Sequence, residues 1–401
     1  MKHICGWLLF CGMALGQSFT QRGFLETRYT VFPQTAPGDS GRFIGEALLR
    51  WEPSFKPAPW LRLAGSFDAR ADTHNQVERR WHASLEDRER QRPAFAVRRL
   101  SAILSRGGFT FEAGRQFIRW GKADLLNPTD RFAPRDYLSV VDNDFLAVTA
   151  ARATYESRGN TIDLVWAPRF TPSRLPLLNQ RWSALPHDVM ITESAPRYPG
   201  GSQFGARFNR VGSGYECSLS FYEGFQHLPL FDAKLAPPQV VAERFYPKMR
   251  MIGGDAAIPL GWLTLKAEAA YFANPDRRAD EYAQYVVQLE RQAGEWFLVG
   301  GYAGEIVTEA RRPLGFAPDR GLTRAFVGRA GYTIDARRSL SFEAALRQTG
   351  DGAWVRFEYS HLLGQHWRAT AAAALVRGAS DDFLGQYRRN SHATLTIRYS
   401  F

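Results

Sequence analysis

The chain has 401 residues, a formal net charge of +11, 45% hydrophobic and 13% aromatic residues, and no run of 18 apolar residues, which excludes a helical membrane span. Of its 51 basic residues only Lys2, Lys56, Lys122, Lys234, Lys248 and Lys266 are lysine. The rest are arginine, which holds carboxylates, sulfates and phosphates in a fork. With no Lys/Arg-rich run and no recognition helix, nucleic acid is not an expected partner.

At the N-terminus Lys2 precedes an apolar stretch from Ile4 to Leu15, and Ala14-Leu15-Gly16 places small residues at cleavage-site positions. This is the pattern of a secretory signal peptide over residues 1–16, cut after Gly16. A stretch of about 12 residues is too short to span hydrocarbon as a helix. Phe10, directly before Cys11, argues against lipid attachment. Cleavage would remove Cys5 and Cys11, leave Cys217 alone, and lower the charge by one. An exported chain without a disulfide framework needs a large core or a sheet closed on itself. Residues 17–401 are expected to form one domain.

Period-two alternation then recurs along the chain. Phe43, Gly45, Ala47, Leu49 and Trp51 share one face, opposite Arg42, Glu46 and Arg50. Leu61, Leu63 and Phe67 alternate with Arg62, Asp68 and Arg70. Further on, Leu340, Phe342 and Leu346 oppose Glu343 and Arg347, and Val355, Phe357 and Tyr359 oppose Arg356 and Glu358. A strand puts all such charges on one side. Tight turns at 106–108, 156–160, 211–214, 259–262, 292–295, 335–339 and 362–366 alternate with longer polar segments at 73–93, 119–144, 169–200, 226–245, 274–282, 309–321 and 379–390. The fold class is therefore all-β: a transmembrane antiparallel up-and-down barrel with short periplasmic turns and long extracellular loops. About 18 strands are expected, or 16 if 160–168 or 283–292 is not a full strand. The arginines at 42, 50, 62, 70, 207, 347, 356, 368 and 398 should face the lumen, and Leu49, Phe67, Phe342, Phe357, Leu395 and Tyr399 the lipid.

One loop stands apart: Gly114 to Tyr137, "GRQFIRWGKADLLNPTDRFAPRDY". It leaves a strand at Phe117. Asn127-Pro128 starts a turn, whose backbone Asp130 can cap. Arg115, Arg119, Lys122, Arg131 and Arg135 outnumber Asp124, Asp130 and Asp136. A stiff, net-basic loop of this kind could fold inward and form the constriction, with 73–93 remaining outside; a rim loop held by its own ion pairs is the alternative.

The mature histidines (His74, His82, His187, His227, His361, His366, His392) show no metal spacing, and neither a G-x-S-x-G nor a phosphate loop occurs. No enzyme, metal or cofactor is expected.

The chain ends on "SHATLTIRYSF". Ala393, Leu395, Ile397, Tyr399 and Phe401 form an apolar face, while His392, Thr394, Thr396, Arg398 and Ser400 form a polar one. This ending resembles the C-terminal signal of bacterial outer-membrane β-barrel proteins. The resemblance implies location in the outer-membrane lipid and insertion by the barrel assembly machinery, with Leu395, Ile397, Tyr399 and Phe401 as the signal. Gly114-Arg115-Gln116, Trp120-Gly121, Asn127-Pro128-Thr129-Asp130, Phe132 and Pro134 look like a segment of large, mostly uncharacterised porin-like barrels of Gram-negative bacteria. The general plan is also similar to the alginate-export porins.

The expected activity is diffusion of small or extended anionic solutes, polymers included, through an arginine-rich lumen. A loop-based adhesin or receptor, or an outer-membrane hydrolase, would carry the same strand pattern, and the sequence leaves the oligomeric state open. For assembly, Phe401→Asp should lower the amount of heat-modifiable barrel in the outer membrane while export continues. Normal levels of that form in fractionated membranes would refute the role given to Phe401.

Overall fold

In a computed structural model, residues 18–401 are described, apart from 81, 125, 185–189 and 312–313. The proposed signal peptide, 1–16, lies outside the described residues. Eighteen antiparallel strands form one closed sheet: β1 Ser18–Val31, β2 Phe43–Ala58, β3 Leu61–Asp72, β4 Phe95–Arg106, β5 Phe109–Gln116, β6 Val148–Ser157, β7 Asn160–Ala167, β8 Gln203–Gly212, β9 Tyr215–Phe225, β10 Lys248–Pro259, β11 Thr264–Ala273, β12 Glu281–Ala293, β13 Trp296–Glu309, β14 Ala325–Thr333, β15 Arg338–Arg347, β16 Gly352–Leu363, β17 Trp367–Gly378 and β18 His392–Ser400. Both segments that could have lowered the count to 16 are full strands, β7 and β12.

Alternation fixes which side chains look out. On β7, Ile162, Leu164 and Trp166 are about half exposed, whereas Asp163, Val165 and Ala167 are buried. The exposed face meets lipid and the buried face looks inward. Outward rings gather at both ends of the strands. Tyr29, Phe43, Trp166, Phe204 and Phe326 mark the extracellular rim, and Phe109, Tyr215, Trp262, Trp296 and Trp367 the periplasmic one. Amphipathic rings of this kind sit at the headgroup level.

Closure runs through β1 and β18, registered from Phe24↔Ser400 to Val31↔Ala393. Gly23 and Phe401 exchange both backbone hydrogen bonds, each at 3.0 Å. The Phe401 ring covers Gly23, where a Cβ would lie 2.6 Å from it and 2.5 Å from the Arg50 carbonyl oxygen, so glycine is required for the close approach. Inside the seam, Arg398 Nε donates to Glu26 at 2.7 Å.

Nine connections lie at one end, all but the eighth (348–351) longer than a tight turn. The second, third and fourth (73–94, 117–147, 168–202) are written L2, L3 and L4. L4 adds a short strand, Ile191–Glu193, to the ribbon Leu230–Ala236 and Gln239–Phe245 of the fifth loop. The seventh loop carries one helical turn, Pro318–Gly321, and the ninth a 3-10 turn, Gly385–Asn390.

Not every expected inward arginine lies on the wall. Arg42 stands just before β2 on the extracellular rim, exposed, with its Nε donating to Phe32 O at 3.2 Å. Arg347 sits at the rim end of β15 and pairs with Asp382 of the ninth loop at 3.1 Å. Cysteines placed at Arg50, Arg70 and Arg398 in a Cys217→Ser background should react with a water-soluble thiol reagent, and those at Leu49, Phe357 and Leu395 should not. Equal labelling of the two sets would overturn the register.

Candidate functional site: a partitioned lumen

L3 leaves β5 after Gln116, two residues past Gly114, whose φ of +122° only glycine adopts freely. Its first arm turns inward. Ile118, Trp120 and Phe132 pack against the buried face of β6 to β12, joining Val148, Val165, Tyr222, Met251, Phe272 and Tyr282. The Phe132 ring meets Trp120 and Tyr222 edge-on at 5.4 and 5.0 Å. A Cβ at Gly205 would lie 2.5 Å from both the Trp120 and Phe132 rings, so the wall is thinned where they enter.

Polar contacts fix the arm. Trp120 Nε1 donates to Asp163 at 2.9 Å. Glu268, inward on β11, accepts from the N–H groups of Lys122, Ala123 and Thr129 at 3.1, 3.1 and 2.8 Å and from the Thr129 hydroxyl at 2.8 Å. Lys122 pairs with Glu216 at 2.6 Å and Asp255 at 3.2 Å. Asp124 pairs with Lys266 at 3.2 Å. Asp130 accepts from the N–H groups of Trp120 and Gly121, closing the first arm on itself rather than capping its own turn.

The second arm crosses to the other side. Val140 and Val141 pack with Trp182, Val376 and Tyr387, and with Trp354 of β16. Asp142 receives Arg28 of β1, and Asp144 pairs with Arg98 of β4 at 2.6 Å. L3 thus spans the lumen from wall to wall.

Asp136, between the arms, joins three loops. It pairs with Arg92 of L2 at 2.9 Å and Arg174 of L4 at 2.6 Å, while Asp87 of L2 pairs with Arg174 at 3.2 Å and with Arg115. Burial alone would raise the Asp136 carboxyl. The Arg92 and Arg174 guanidiniums outweigh it and hold the group well below the usual carboxylate range. The stabilisation it gives is present above the ordinary carboxylate pKa and fades only as pH falls through the depressed value, so mild acid leaves the clamp closed. Arg92 also reaches Glu46 of the wall at 3.2 Å. The segment 73–93, expected to stay outside, is therefore tied into the lumen: its charges pair with the wall and L3.

Among the described residues L3 borders two larger cavities and a small one of about 40 Å³ beside the Asp136 clamp. Of the larger two, one, of about 300 Å³, lies along β1 to β3 and β18 and is lined by Arg28, Arg50, Arg70, Arg92 and Arg398 and by Glu26, Glu46, Asp142 and Asp144. The other, of about 270 Å³, lies between L3, the fifth and seventh loops and the wall of β12. Asn143 lines both.

Most wall charges are already matched. Arg50 and Arg70 share Asp68 at 2.7 Å each, and Arg356 pairs with Glu358 at 2.7 Å. Arg207 pairs with Asp255 at 2.7 Å. Arg119 and Arg135 lie over the Phe145 ring, each 4.1 Å from its centre, and Arg131 lies over Phe272 at 5.0 Å. Arg62 is exposed near the periplasmic end of β3, remote from this constellation. Glu268, Arg92, Arg174, Arg28, Asp142 and Asp144 did not stand out in the sequence; the inward parity of Glu268 on "TLKAEAAYFA" was the one available signal.

No family model matches the chain, and no curated protein matches it. Solved structures do. A BenF-like porin from Pseudomonas fluorescens Pf-5 superposes with a TM-score of 0.57 at 11% identity, over 96% of this chain and 98% of that one. The chain has the porin fold. OccK5 (OpdH) of Pseudomonas aeruginosa gives 0.54 at 8% identity, over 95% and 98% of the two chains. OccAB3 of Acinetobacter baumannii gives 0.53 at 9%, over 96% and 99%. The likeness covers nearly the whole of each chain and shows the fold, a closed antiparallel β-barrel of the porin kind.

Glu268→Ala should leave three N–H groups and a hydroxyl without their acceptor, at about 1–3 kcal/mol for each group that stays buried. L3 should detach, and single-channel conductance in planar bilayers should become larger and noisier. Conductance equal to wild type in amplitude and noise would show that Glu268 does not hold the partition.

Proposed function

We propose that this barrel is an outer-membrane diffusion channel with a preference for anionic solutes, small or extended. The observation that carries the reading is the cavity between L3 and the β1–β3 wall. There Arg28, Arg50, Arg70 and Arg398 stand on the wall, and Asp142 and Asp144 face them from L3. Five arginines against four carboxylates leave a small positive excess. Low-dielectric barrel walls concentrate its field, and charged side chains around a pore set the sign of the ions admitted. The opposed rows also create a field across the passage, which orients a solute that carries both charge and dipole.

The loops favour a channel over a loop-based receptor. L2, L3 and L4 are knitted by Asp136, and Asp39 of the first loop joins Arg181 of L4 and His74 of L2 at 3.7 and 2.7 Å. The charges that knit them are spent inward. Insertion by the barrel assembly machinery belongs to the same reading, with Phe401 at the seam as its signal.

Replacing Arg28, Arg50 and Arg70 together by Gln should shift the reversal potential in a salt gradient toward cation preference. The same replacement at the periplasmic-turn residues Arg337 and Arg338 should shift it much less. Equal shifts, or none, would reject the wall arginines as the selectivity element.

A further inference from the structure

The lipid face changes character at one place on the extracellular rim. Along the extracellular half of β1 to β8, the exposed outward positions of the described strands are uncharged, from Tyr29 and Phe43 to Trp166 and Phe204. β9 and β10 break that pattern. Glu223 pairs in register with Phe204 on one side and Arg250 on the other, which sets all three at the height of the extracellular aromatic rings. Lys248 lies two residues further out on the same face, about 7 Å from Arg250.

These cations are open to a ligand. Arg250 holds Glu223 at 3.0 Å and keeps 59% of its side chain exposed. Lys248 is exposed and has no carboxylate partner among the described residues. It lines an open cavity of about 490 Å³ at the ends of β10 and β11, where L4 and the fifth and sixth loops meet. Arg197 and Arg278 line the same space. Arg197 holds Glu243 at 2.7 Å with 81% of its side chain exposed, and Arg278 holds Asp232 and Asp276 at 2.8 Å each with 52% exposed. Three cations against the single carboxylate of Asp276 leave the cavity positive. Below the cations the lipid face is indented: Gly254 pairs with Ala269 and Ala256 with Ala267, and Leu219 and Tyr285 bound the patch on either side.

Hydrocarbon rejects a charged side chain at the midplane and tolerates it near the interface. There, each basic side chain attracts anionic lipid. An arginine fork matches phosphate oxygens, and an ammonium adds a point charge. A free anion carries the same oxygens. Only a lipid brings its phosphate to this height beside an outward face and lays its chains over the indented patch.

We infer that the extracellular rim of β9 to β11 is a binding site for a lipid of the surrounding leaflet that carries an anionic phosphate. Lys248 and Arg250 take the phosphate, Arg197 and Arg278 contact the headgroup in the open cavity, and an acyl chain lies along the small residues of β10 and β11. The site goes beyond the anion channel, because it is on the outer surface and needs no solute flow. It shares with that reading only the placement of the barrel in lipid.

The test uses the folded barrel in non-ionic detergent, with bisphosphorylated lipid A as the probe. Phosphatidylcholine, whose headgroup neutralises its own phosphate, is the lipid control, and inorganic phosphate is the free anion. Native mass spectrometry reads the lipid retained and the concentration at half-occupancy. Lipid A should remain on the folded barrel, and neither phosphatidylcholine nor inorganic phosphate at equal concentration should displace it. Lys248→Gln combined with Arg250→Gln should raise the half-occupancy concentration by about tenfold or more, the attraction of two basic side chains at a membrane surface. Arg210→Gln combined with Arg291→Gln, outward at the periplasmic ends of β8 and β12, should leave it unchanged. Heat-modifiable mobility reports whether each variant is folded. Should the Lys248 and Arg250 double variant fail to fold, Lys248→Gln alone, which breaks no ion pair, must weaken binding by about fivefold. No retained lipid A, retention unchanged by the tested variant, an equal loss from the periplasmic pair, or displacement by phosphatidylcholine or phosphate would each overturn the inference. The reversal-potential shift expected of Arg28, Arg50 and Arg70 does not depend on this site, so its absence with lipid binding intact would reject the channel reading alone.

Discussion

Everything in this molecule depends on a backbone that has no water to turn to. Hydrocarbon offers no partner for an N–H or C=O group, so a sheet in lipid must leave no edge. The seam between β1 and β18 meets that demand, and its last two bonds are those between Gly23 and Phe401. Once the sheet is closed, side-chain parity ceases to be a preference. A charge moved to the lipid face costs about 2–4 kcal/mol at the midplane, and a slip of one residue would move a whole strand's charges. The inner face is consequently where arginine and carboxylate collect, and there they pair.

Pairing on the wall in turn decides where L3 goes. The wall of β7 to β12 presents carboxylates and amides at Asp163, Glu268 and Gln288 together with rings at Tyr222 and Phe272. L3 brings backbone N–H groups, Trp120 and Phe132 to meet them. The fit is of the protein-interior kind, with edge-on rings and a glycine where a Cβ would collide. A loop held in this way is a structural wall, unlike a surface loop that samples solvent.

The barrel was legible in the sequence because its code is local: parity, tight turns and aromatic ends repeat within ten residues. The inward arm of L3 was half legible. Its stiffness and charge showed, and its anchor did not, because Glu268 stands 139 to 146 positions away from the groups it holds. Asp130 was read as a cap, yet it serves Trp120 and Gly121, ten and nine residues earlier. Segment 73–93 looked external because it is polar. Polarity gives no direction when a lumen is as polar as solvent, and Arg92 finds Asp136 44 residues on. Arg42 was misplaced by carrying the alternation one step past the strand's end.

L3 is also a party wall. Asn143 faces both cavities, and a partition one segment thick cannot advance into one room without receding from the other. Whatever displaces the partition from one side therefore does work on whatever rests against the other, and by thermodynamic reciprocity the influence is equal in both directions. A displacement of L3 would therefore be felt in both compartments at once, with Asn143 as the side chain common to the two.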